Sequence, residues 1–95
     1  MRLEFIERTD QDDEGRRYLV HFLVDADSFR AYGYVEEPKK GTNQVMFVAN
    51  PYEGKSRWYM KLEPAKSYLE ECTLREEAEN SMLMEREFAA NKVAQ

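Results

Sequence analysis

The sequence changes character near residue 62, and this change constrains the fold more than any other feature. Residues 1–62 are rich in β-branched and aromatic side chains, which favour strands, whereas residues 63–95 are rich in Glu, Ala, Met, Leu and Arg, which favour helix. Pro64 stands where the second segment begins, and proline suits the first turn of a helix. This order predicts an α+β fold with the strands first and the helix last.

The 95 residues provide one domain, residues 1–95, with a sheet part at 1–62 and a helical part at 63–92. Short turns rich in Gly, Pro, Asn and Asp separate five strand-like runs, a pattern typical of an antiparallel meander. The predicted strands are 3–7, 16–24, 29–37, 44–49 and 56–62. We therefore predict a five-stranded antiparallel meander sheet with one face covered by a C-terminal helix.

The helical segment has an apolar stripe that changes register part-way along it. The first stripe has the i, i+3, i+4, i+7 spacing of a helix face and consists of Ala65, Tyr68, Leu69 and Cys72. The sequence Thr-Leu-Arg-Glu that begins at Thr73 matches a capping box, which is typical of a new helix start. The sequence leaves two alternatives open, one continuous helix or a break near Thr73.

The chain contains few groups suited to catalysis. It has one histidine, His21, within its most apolar strand, and one cysteine, Cys72, on the apolar stripe of the helix, and both positions are typical of packed side chains. The acidic run at 10–15 matches the start of a calcium loop, but the twelfth position of that loop is His21 instead of a glutamate. We expect no enzyme activity, no catalytic residue, no cofactor and no metal site.

Acidic residues in the last third account for most of the net charge of −5. A ridge of like charge on a helix steers association with a basic partner surface. The candidate partner-binding residues on this acidic helix are Glu70, Glu71, Glu76, Glu77, Glu79 and Glu85. The same charge repels phosphates, so we expect no binding to duplex DNA.

Alternation along the third and fifth predicted strands defines a second candidate surface. One parity is basic and aromatic, and consists of Arg30, Tyr32, Tyr34, Arg57, Tyr59 and Lys61. The other parity, which includes Phe29, Trp58 and Met60, is predicted to face the helix. Tyrosine and arginine are common anchors of protein interfaces, and the same residues also stack on bases and pair with phosphates in single-stranded nucleic acid.

Methionines near the end of the chain suggest self-association. Three consecutive apolar residues, Met82 to Met84, cannot all face one core. We expect Met82, Met84 and Phe88 to meet a second copy of the chain in a twofold homodimer.

These patterns predict a small acidic, non-catalytic binding protein that regulates or inhibits a macromolecular partner. A narrower hypothesis is a viral or mobile-element antagonist of a nucleic-acid-handling protein, acting through the acidic helix on that protein's basic surface. The alternatives are a single-stranded nucleic-acid binder and a structural subunit of a larger assembly. The lone cysteine and the absence of a long apolar run predict a cytoplasmic, intracellular protein without membrane contact.

Overall fold

The computed structural model consists of a five-stranded antiparallel sheet followed by one long helix. It describes the backbone of residues 1–93 and the side chains of residues 1–82. The strands are β1 (Leu3–Gln11), β2 (Arg17–Asp25), β3 (Ala31–Glu36), β4 (Phe47–Pro51) and β5 (Arg57–Tyr59), and the helix is α1 (Leu62–Val93). The strands neighbour one another in chain order and α1 packs on the sheet, which confirms the predicted α+β meander.

The first hairpin is longer than predicted because polar residues continue the strand. β1 pairs with β2 as far as Gln11, although residues 9–15 are polar enough to predict a loop. Asp12 then closes the turn, since its Oδ1 accepts hydrogen bonds from the N–H groups of Glu14 and Arg16. The bond from Arg16 is the main reason that the pKa of Asp12 is lowered. β1 is an edge strand, where charged side chains are expected.

One side of the sheet is buried beneath the first half of α1. The fully buried core residues come from three adjacent strands and from the helix, and are Leu23, Val35, Ala49, Ala65 and Leu69. Partly buried side chains surround them, namely Leu3, Phe5, Phe47, Tyr59, Leu62 and Tyr68. Since removal of apolar surface from water is the main favourable term in folding, this layer fixes the helix on the sheet.

The helix lies closest to the sheet at Gly33. A Cβ at this position would lie 2.6 Å from the Asn50 carbonyl oxygen, 2.8 Å from the Pro51 Cα and 2.8 Å from the Leu69 Cδ1. On the neighbouring strand, the pairing of β2 with β3 shifts register between Leu23 and Val24, which is typical of a β-bulge. The absence of a side chain at Gly33 allows Leu69 to reach the core.

α1 is continuous through Thr73, so the predicted alternative of a break there is wrong. The Thr73 side chain is buried, and its hydroxyl donates a 2.9 Å hydrogen bond to the Leu69 carbonyl one turn earlier. The hydroxyl is therefore satisfied within the helix and does not cap a new one. Within the described part of the chain, no helix has the combined length and apolar character needed to cross a bilayer.

The close approach at Gly33 generates a stability prediction. Gly33→Ala is expected to lower the free energy of unfolding by about 3 kcal/mol, because backbone atoms of β4 cannot move aside. Gly41→Ala is the control, since a Cβ there meets no atom within 4 Å and only the positive φ of 79° opposes it. Gly41→Ala is expected to lower the free energy of unfolding by about 1 kcal/mol. Urea denaturation measures both variants, and equal losses would contradict this packing.

Candidate functional site

Although Val20 is only 3% exposed there, no helix or strand of the described residues covers the side of the sheet away from α1, and this side is rich in aromatic residues. We call it the open face and define it by Ile6, Tyr18, Val20, Phe22, Tyr34, Val48, Tyr52 and Trp58. Side chains alternate along each strand, so these residues point away from the core residues beside them. Tyr52 is 54% exposed and Trp58 is 60% exposed.

The rings of the open face contact one another across the strands. Phe22 and Tyr34 are directly paired residues with ring centroids 5.7 Å apart, and the Tyr52 ring lies 6.1 Å from that of Tyr34. Trp58 on β5 is paired with Val48 on β4. Ring–ring contacts of this length restrict the movement of the aromatic side chains.

Carboxylates surround the aromatic centre of the open face. Glu4 and Asp10 on β1 and Glu36 on β3 share the parity of the open-face residues, and we call them the acidic rim. Burial, followed by the charges of Asp10 and Glu36, raises the pKa of Tyr18. Burial, followed by the charge of Glu36, likewise raises the pKa of Tyr34. Burial is the larger cause of both pKa shifts, and the neighbouring carboxylates add to it.

Some positive charge also lies near the open face. Arg8 shares the parity of the acidic rim on β1, and the Lys39 ammonium lies 4.9 Å from the ring centroid of Tyr18. Together with Arg2, whose guanidinium lies 3.8 Å from the Glu4 carboxylate, Arg8 and Lys39 balance the formal charge of these three carboxylates.

The structure divides the predicted basic and aromatic surface between the two sides of the sheet. Tyr34 lies on the open face, whereas the Tyr32 hydroxyl donates a 2.8 Å hydrogen bond to Glu77 of α1. Arg30 forms an ion pair with Glu76 of the same helix, at 3.2 Å. The β-bulge between β2 and β3 explains this division. The extra residue interrupts the alternation of side chains between the two sides of the sheet, so Tyr32 does not share the side of Tyr34.

The parity predicted for β5 is reversed. The Arg57 guanidinium lies 4.7 Å from the ring centroid of Tyr68 on α1, and Tyr59 packs against the core. Trp58, which was predicted to face the helix, is instead on the open face. Other predicted members of the helix-facing side, Phe29 and Met60, are exposed, as is Lys61.

Two glutamates of the predicted acidic helix face the sheet. Glu76 and Glu77 lie 3.2 and 3.6 Å from the Arg30 guanidinium and are partly buried, so their charge is used within the fold. Burial raises the pKa of Glu76, against the opposing effect of Arg30. The remaining described candidates, Glu70, Glu71 and Glu79, are exposed, and Glu85 lies outside the described side chains.

The predicted self-association residues are described only in part. Met82 is 55% exposed on a section of α1 where the described side chains from residue 78 onward are all exposed. Met84 and Phe88 lie outside the described side chains. The homodimer stays a prediction.

A cluster missed at the sequence level surrounds His21. The ring is only 5% exposed, and its Nε2 lies 2.6 Å from Oε2 of Glu37. Glu7, the direct cross-strand partner of His21, adds a second carboxylate. The three residues are far apart in sequence, so the register of the strands was the information needed to find them.

The chain matches no known family model, no curated protein and no solved structure. The fold and this surface define the chain as an α+β domain with one helix-covered and one open aromatic sheet face.

The Tyr32–Glu77 contact generates a pH prediction. Burial, then the hydrogen bond and charge of Glu77, raise the pKa of Tyr32 from 10.0 to about 12. A pKa raised by folding gives stability that is complete below pH 10.0 and is lost as the pH rises to about 12. Tyr32→Phe should therefore lose less stability than the native chain on this rise.

Urea denaturation at about pH 9 and about pH 11 measures this difference. Tyr52→Phe is the control, because Tyr52 is exposed on the opposite side of the sheet. Between the two pH values, Tyr52→Phe should lose as much stability as the native chain. Parallel losses in the native chain and in Tyr32→Phe would contradict the role of Tyr32.

Proposed function

We propose that this protein is a non-catalytic binding protein that regulates or inhibits another protein by holding it against the open face. The supporting observation is that Tyr52, in ring contact with Tyr34, and Trp58, paired with Val48, are both more than half exposed on the same side of the sheet. Large aromatic side chains of this kind carry most of the binding energy in protein interfaces. His21 and Cys72, the single imidazole and thiol of the chain, are not among the open-face residues.

The acidic rim supports a partner with an apolar centre and a basic surround. Glu4, Asp10 and Glu36 place carboxylates along the border of the open face, and the whole chain carries −5. The exposed helix residues Glu70 and Glu71 have the same sign. Complementary charge speeds encounter and suppresses wrong partners.

A basic surface with these properties is typical of nucleic-acid-binding proteins. By occupying such a surface, this chain would block access of nucleic acid to it. Inhibition of a nucleic-acid-handling protein is therefore the regulatory role that we propose.

The distribution of cations favours a protein partner over single-stranded nucleic acid. Binding of single strands needs cations beside the stacking rings. Arg30 and Arg57, two of the cations predicted for this surface, instead contact α1 on the other side of the sheet, which leaves Arg8 and Lys39 as the cations near the open-face rings. The acidic rim beside the open-face rings repels phosphates.

The test is a pair of variants in a capture experiment from the native host. The double variant Tyr52→Ala, Trp58→Ala removes two exposed rings from the open face, and Phe29→Ala removes an exposed ring from the β2–β3 turn as a control. Captured proteins and nucleic acids are both identified, and the affinity of the purified partner is then measured. We expect the double variant to bind at least about 30-fold more weakly and the control to bind normally.

A charge-reversed variant separates the two candidate surfaces. Glu70→Lys with Glu71→Lys alters the exposed side of α1 without touching the glutamates that pair with Arg30. Under the proposal, this variant associates more slowly but keeps its slow dissociation. Loss of the complex in this variant with retention in the aromatic variant, or capture of nucleic acid alone, would overturn the proposal.

A further inference from the structure

Three side chains capable of binding a metal ion meet on the helix side of the sheet. Glu7 and His21 are paired across β1 and β2, and Glu37 immediately follows β3. The Glu37 N–H donates a 2.9 Å hydrogen bond to the Leu19 carbonyl, which extends the pairing and holds Glu37 beside His21. One ligand atom from each of the three side chains lies within 4.8 Å of the other two.

The donor set suits a transition-metal ion. Imidazole nitrogen and carboxylate oxygen are both ligands of Zn²⁺, at about 2.0–2.2 Å, whereas Mg²⁺ and Ca²⁺ prefer oxygen alone. Ligands at that radius around a tetrahedral ion lie about 3.4 Å apart. The His21–Glu37 contact of 2.6 Å would lengthen by less than about 1 Å, and the exposed Glu7 side chain can rotate inward.

The charge of the cluster provides a separate reason for a cation. Among the described side chains, neither Glu7 nor Glu37 has a lysine or arginine nitrogen within salt-bridge distance. Two carboxylates therefore converge on one imidazole that is 93% buried in its side chain. A divalent ion would neutralise both carboxylates and would replace the His21–Glu37 contact with bonds from both side chains to the metal.

A cleft of about 310 Å³ opens onto Glu37, one member of this cluster. Glu37 lines it, together with Thr9, Arg17, Tyr18, Leu19, Pro38 and Lys40. An ion can reach Glu37 from this cleft, and a water molecule can complete the coordination of an ion held by three protein ligands.

We propose that Glu7, His21 and Glu37 bind one divalent transition-metal ion of the zinc class. The ion would link β1, β2 and the end of β3 at a point that α1 leaves accessible through the cleft. Because the cluster lies on the helix side of the sheet, the proposal is independent of binding at the open face.

Isothermal titration of the full chain with Zn²⁺ tests the proposal. We expect saturable binding of one ion per chain, which excess Mg²⁺ does not displace. Glu7→Gln should weaken this binding more than about tenfold, since even loss of an outer partner of a ligand costs 10–100-fold. Glu53→Gln is the control, because Glu53 is an exposed glutamate in the β4–β5 turn that belongs neither to the cluster nor to the proposed binding surfaces.

Two further measurements make the outcome decisive. Equal urea midpoints of Glu7→Gln and the native chain without metal show that the variant is folded, as expected for an exposed side chain. The ¹⁵N spectrum of the His21 ring should change at Nε2 when Zn²⁺ is added. No saturable binding at micromolar Zn²⁺, unchanged affinity in Glu7→Gln, equal weakening in Glu53→Gln, or an unperturbed imidazole would each overturn the proposal.

Discussion

Leu69 of α1 packs directly against the backbone of β3 at Gly33, and the arrangement of the whole molecule depends on this contact. A side chain at Gly33 would meet the Leu69 Cδ1 at 2.8 Å and would hold the helix away from the sheet. With the helix this close, Ala65 and Leu69 bury Leu23 and Val35. One side of the sheet is filled in this way, and the other side remains without a covering element in the described structure.

Polar contacts add a second attachment point at the far end of this interface. The β-bulge in the β2–β3 pairing directs Tyr32 toward α1, where its hydroxyl reaches Glu77. Arg30 pairs with Glu76 one position earlier on the helix. Glu76 and Glu77 therefore stabilise the fold, and the acidic charge exposed to solvent comes from other residues.

The class of fold could be predicted from the sequence, because segregated strand and helix formers with short turns leave few alternatives. Sequence periodicity could not predict the orientation of Tyr32, since a single bulged residue reverses the alternation that follows it. The reversal at Trp58 has a related cause, because parity within a three-residue edge strand is set by its pairing with β4. The sequence also could not predict that the helix continues through Thr73, because a threonine hydroxyl can either cap the start of a helix or donate a hydrogen bond to a carbonyl within one.

The two candidate sites differ in how far they could be predicted from the sequence. Of the open-face aromatic residues, Tyr34 was predicted on an exposed surface and Trp58 was predicted to face the helix, so strand pairing was needed to show that they share a side. The cluster of Glu7, His21 and Glu37 combines residues from three segments, and each residue alone has an ordinary structural explanation. Register was the missing information in both cases.

The central claim is that the chain alone leaves one aromatic sheet face open to solvent. Trp58 is the single tryptophan and lies on this face, so its fluorescence reports the state of the face without labelling. Acrylamide quenching of the isolated chain measures its accessibility. We expect acrylamide to quench the fluorescence of Trp58 nearly as strongly as that of free indole, and the emission maximum to be typical of an indole ring in water. Strong protection with blue-shifted emission would show that the face is already covered and would contradict the account.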